Sequence, residues 1–82
     1  MNMTNEDRIR SIRKFMEAFP YAGSPSVLNA VIWYLERDRL ADAQDKVQFD
    51  SDKFPEREQV VSFLDSIGLV SDSYRNILNR WK

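Results

Sequence analysis

Eighty-two residues with no cysteine, no histidine and a formal charge of −1 are enough for one small domain and too few for two. A disordered chain of this charge density would be poorer than 43% in apolar residues and 12% in aromatics. A charge this close to neutral also argues against a protein whose main task is to coat nucleic acid or a membrane surface. Without cysteine there is no disulfide or thiolate chemistry, which suits a cytoplasmic location, and residues 1–16 hold no long apolar run of the kind a signal peptide or membrane span needs.

Thr4 followed by Asp7 is a helix-start pattern in which hydroxyl and carboxylate satisfy unpaired backbone donors. Ile9, Ile12, Phe15, Met16 and Phe19 then recur at three- and four-residue spacing, and Pro20 stops the helix. Arg10, Arg13 and Lys14 face away from that stripe, as a solvated face or as contacts for an acidic partner or nucleic acid. Residues 20–25 form the clearest loop. Ser24 is the expected cap of a second helix, with Pro25 at its first position.

From Val27 to Leu35 the pattern is apolar over most of the circumference. Val27, Leu28, Val31 and Leu35 lie on one side and Trp33 nearly opposite. The charged cluster at 36–39 interrupts the pattern, which resumes at Leu40, Ala43 and Val47. A bend at 36–39 would fold these residues back onto the core. An unbroken helix to residue 47 would be about 35 Å long and would leave Trp33, Leu40, Ala43 and Val47 as a contact face for a partner or for a second copy in a homodimer. The run 48–54, with Asp50, Ser51 and Asp52, reads as a turn, with a short extended piece conceivable at 47–49. A calcium loop starting at Asp50 would need a glycine at its sixth position and a glutamate at its twelfth, where this chain has Pro55 and Val61.

Pro55 fits the first position of a third helix, with Glu56 and Glu58 in its first turn and Val60, Phe63, Leu64 and Ile67 as its apolar side. Gly68 is the expected left-handed cap, closed by Leu69 packing back on Leu64. Ser71 caps a last helix whose Tyr74, Ile77, Leu78 and Trp81 share one side. These stripes predict an all-α, single-domain bundle of four to five helices over residues 1–82. The expected core is Ile9, Ile12, Met16, Phe19, Leu28, Val31, Leu35, Val60, Leu64, Ile67, Ile77 and Trp81.

Missing histidine and cysteine remove the usual general base, the imidazole ligand and the thiol nucleophile, and no lysine sits in an apolar run. We therefore expect no enzyme activity, no cofactor, no metal and no small-molecule substrate. The first expectation is a non-enzymatic protein-interaction module of adaptor, assembly-factor or inhibitor type, working on another protein or on itself. The alternative is a DNA-binding regulator, because Gln59–Trp81 resembles a helix-turn-helix pattern and residues 71–82 turn Arg75 and Arg80 outward. Leu64 departs from the small residue usual there. The acidic excess lies in residues 36–58, which carry eight carboxylates against five cations.

Overall fold

The computed structural model describes residues 3–80 and shows a bundle of five α-helices with no strand among the described residues. They are α1 (Asn5–Ala18), α2 (Pro25–Glu36), α3 (Leu40–Asp50), α4 (Arg57–Ser66) and α5 (Asp72–Arg80), with a 3₁₀ turn at Ser51–Lys53. The all-α expectation holds, and the run from residue 47 continues α3 to Asp50 instead of becoming extended. Trp81 lies outside the described residues.

Helix α1 starts where Thr4 and Asp7 place it. The Asp7 amide donates to Thr4 Oγ1 at 3.1 Å while the Thr4 amide donates to Asp7 Oδ2 at 3.2 Å. Ser24 stands at the cap position of α2 and Pro25 inside its first turn, but the Ser24 hydroxyl pairs with Ser26 Oγ instead of with the helix backbone. Helix α4 begins at Arg57, so Pro55 and Glu56 sit just ahead of it and not in its first turn. Ser71 caps α5 as expected, its hydroxyl accepting from the Tyr74 amide at 3.2 Å.

Two helices end in the same left-handed closure. At α4 the Leu69 amide reaches the Leu64 carbonyl (2.9 Å) and the Gly68 amide the Asp65 carbonyl (3.0 Å), with Gly68 at φ 79°. At α2 the Arg39 amide reaches Tyr34 (3.0 Å) and the Asp38 amide Leu35 (3.1 Å), with Asp38 in the left-handed position at φ 57°. Aspartate is one of the few residues besides glycine that visits this region readily. Its carboxylate also accepts a 3.0 Å bond from Asn5 Nδ2 of α1. The chain therefore bends at 37–39, and α3 returns alongside α2.

The bend decides the core. Ala43 and Val47 are wholly buried together with Ile12, Val31, Leu35, Val60, Leu64 and Leu69. Phe15 of α1 stacks on Phe63 of α4, centroids 4.3 Å apart and planes 12° from parallel. Of the expected core, Ile9 and Met16 are partly buried, whereas Phe19 and Ile77 are exposed. Phe19 follows the last turn of α1, where its backbone leaves helical geometry. Ile77 sits beside the inward line of α5, which Tyr74 and Leu78 occupy at i and i+4.

The turn after α4 is held from two other helices. Arg8 Nε of α1 donates to the Ile67 carbonyl at 2.7 Å, and Gln44 Nε2 of α3 donates to the Gly68 carbonyl at 3.0 Å. A guanidinium at the carboxyl end of a helix also suits the negative end of its dipole.

Candidate interaction surface

Trp33, Leu40, Ala43 and Val47 do not form one outer face. Ala43 and Val47 are sealed in the core and Leu40 is half-buried against it, because the bend at Asp38 turns their stripe inward. Only Trp33, 46% exposed, stays outside. The Arg37 guanidinium lies 3.7 Å from the centre of its ring and donates to the Trp33 carbonyl, and Tyr34 meets the indole edge-on.

The cations divide into engaged and free. Arg10 lies 3.7 Å from Asp7, whereas Arg13 and Lys14 are exposed and make no ion pair with a described residue. Arg75 is tied to Asp65 and lies 3.6 Å from Asp72. Arg80 stays exposed beside Asn76 and Asn79 on α5. A shallow groove between α4 and α5 is floored by Val61, Ile77 and Leu78 and edged by Arg57, Asp65 and Arg75.

Among the described residues the largest apolar exposures lie elsewhere. Tyr21 is 87% exposed and Phe49 86%. Both belong to one end of the molecule, because α2 leaves that end and α3 comes back to it. The Glu56 amide donates to the Ala22 carbonyl at 2.9 Å, joining the loop before α2 to the segment that follows the 3₁₀ turn. Pro20, Pro25 and Pro55 are exposed there as well. The sequence pattern does not single out Tyr21 or Phe49. Phe49 stands two residues after Val47, which puts it on the outer side of α3 once Val47 is known to be buried.

Asp50, next to Phe49, is nearly buried and collects both lysines of this region. Lys46 Nζ lies 2.6 Å from one carboxylate oxygen and Lys53 Nζ 3.5 Å from the other. The bond from Lys46 and the two positive charges hold the Asp50 carboxyl below the usual carboxylate range, and the same bond raises Lys46. Asp7 is likewise held low, first by its bond from the Thr4 amide. A depressed carboxyl contributes stability that is complete above its ordinary titration range and is lost as pH falls through the folded-state value. Thermal melting should therefore drop as the solution is acidified below the ordinary carboxylate range, and Asp50→Asn should flatten that acid limb in a series of melts. A raised lysine acts in the opposite sense, its contribution being lost only as pH rises through the folded-state value. With Asp50 engaged in this way at the end of α3, its ion pairs tie the helix end to Lys53 in the 3₁₀ turn that follows.

Among the described residues no three acidic side chains gather closely enough to hold a metal ion, and no helix is long and apolar enough to cross a membrane. Comparison with protein-family models, curated proteins and solved structures returns no match.

Proposed function

We propose that this chain is a non-enzymatic protein-interaction module, acting in the cytoplasm as an adaptor, assembly factor or inhibitor. The observation that carries the reading is the aromatic end. The core closes without Tyr21 or Phe49, yet both are held almost fully in solvent on a scaffold joined by the Ala22–Glu56 bond. Large aromatics supply much of the binding energy at protein interfaces, so exposed ones on a folded scaffold are suited to act as anchors.

The test is a Tyr21→Ser/Phe49→Ser double variant. It should keep the helical circular dichroism spectrum and melt within about 0.5 kcal/mol of the parent, as surface changes do. It should also lose the proteins that the parent captures from host lysate by cross-linking. A variant that retains every captured partner sinks the reading.

DNA binding through α5 has the two-helix hairpin and the outward Asn76, Asn79 and Arg80 in its favour. Against it, Arg75 is already committed to Asp65 and Asp72. Salt-dependent retardation of duplex DNA at low ionic strength, abolished by Arg75→Ala/Arg80→Ala, would establish that reading instead.

A further inference from the structure

We infer that the outer side of α3 takes a basic polypeptide segment, one that sets an arginine against the Phe49 ring between two carboxylates. The inference rests on the interaction-module reading and names the partner's chemistry. Phe49 is 86% exposed, and Asp45 precedes it by one helical turn on the same face. Asp52 follows three residues later, in the 3₁₀ turn. The lysines that would neutralise these carboxylates, Lys46 and Lys53, are drawn onto Asp50 instead. Asp45 and Asp52 are thereby left exposed and without an ion pair to a described residue, while Asp42, farther along the same face, is matched by Arg39 at 2.6 Å.

The exposed ring has a carboxylate one turn before it and another three residues after it, neither in an ion pair with a described residue, although Arg57 lies near enough to Asp52 to feel its charge. Such a surface is complementary to a guanidinium, which stacks on the ring through its plane and donates to carboxylates at its edge. An acidic or purely apolar segment would leave Asp45 and Asp52 desolvated without partners, and the surface selects against it. A lysine-rich segment keeps the charge match but loses the planar stack, which makes arginine the preferred cation.

The experiment is a selection from a random peptide library displayed against the full chain, repeated on Phe49→Ser and on Asp45→Lys/Asp52→Lys. Both variants change exposed positions, and their fold is checked by circular dichroism. The expected result is enrichment of arginine-containing peptides of net positive charge. Their affinity should weaken with added salt and fall at least about tenfold in each variant, the loss expected when a buried anchor or a matched charge is removed. Enriched peptides that are acidic or neutral, or that bind both variants as well as the parent, overturn the inference. If those peptides instead lose affinity on Trp33→Ser or Ile77→Ser, the interaction-module reading stands and only the partner's chemistry is wrong. Self-association abolished by Phe49→Ser would replace the basic segment with a second copy, and no enrichment of any kind counts against both readings.

Discussion

Val47→Asp is expected to unfold the domain, while Phe49→Asp, two positions along the same helix, leaves it folded. Val47 has no exposed surface and packs in the common core, so an aspartate there must either carry a buried unpaired charge or take up a proton at neutral pH. Either route, together with the lost packing, costs roughly 4 kcal/mol or more. A chain of this length holds only about 4–12 kcal/mol at typical values per residue. Phe49→Asp changes a side chain already in water and should shift stability by no more than about 0.5 kcal/mol. Far-ultraviolet circular dichroism melts of the two variants side by side provide the check. A folded Val47→Asp protein would mean that the stripe of Leu40, Ala43 and Val47 faces outward after all.

Gly68→Ala should destabilise the domain through two linked effects. At φ 79° a side chain costs about 1–2 kcal/mol. The added Cβ would also stand 3.3 Å from Nη2 and 3.6 Å from Nε of Arg8, the guanidinium that holds the Ile67 carbonyl. Arg8→Ala alone should cost roughly 1.5–3 kcal/mol, the range for a hydrogen bond from a charged donor. Because the two changes disturb one contact, the double variant should lose less than the sum of the singles. Urea unfolding of the three variants measures the difference, and strict additivity would show that Gly68 matters only for its backbone.

Most of the architecture was legible because local signals agreed. The Thr4–Asp7 box, the prolines at 20 and 25, Gly68 and Ser71 each mark a boundary close to where a helix begins or ends. The bend between α2 and α3 was harder to read. Its left-handed residue is an aspartate, whose meaning depends on a bond from Asn5, far away in sequence. Helical spacing alone assigns Trp33, Leu40, Ala43 and Val47 to one side, and a three-residue bend redistributes them between surface and core. Arg8 shows the same limit. In sequence it is one more cation on a charged helix, and only the placement of the end of α4 beside α1 gives it a carbonyl to hold. The exposed aromatic end was hidden for a related reason, since Tyr21 and Phe49 stand out only against a core that closes without them.

The Arg8–Ile67 bond joins residues 59 positions apart. The first helix therefore works as a brace for the last third of the chain, and trimming it would remove one of the two side chains that hold the carboxyl end of α4, remote in sequence but adjacent in space. Loosening of the opening segment would also release the Arg8 contact to the turn between α4 and α5. A small domain tied across its length in this way is expected to melt in one cooperative step, and a fragment beginning at Pro25 would lose the brace along with the helix.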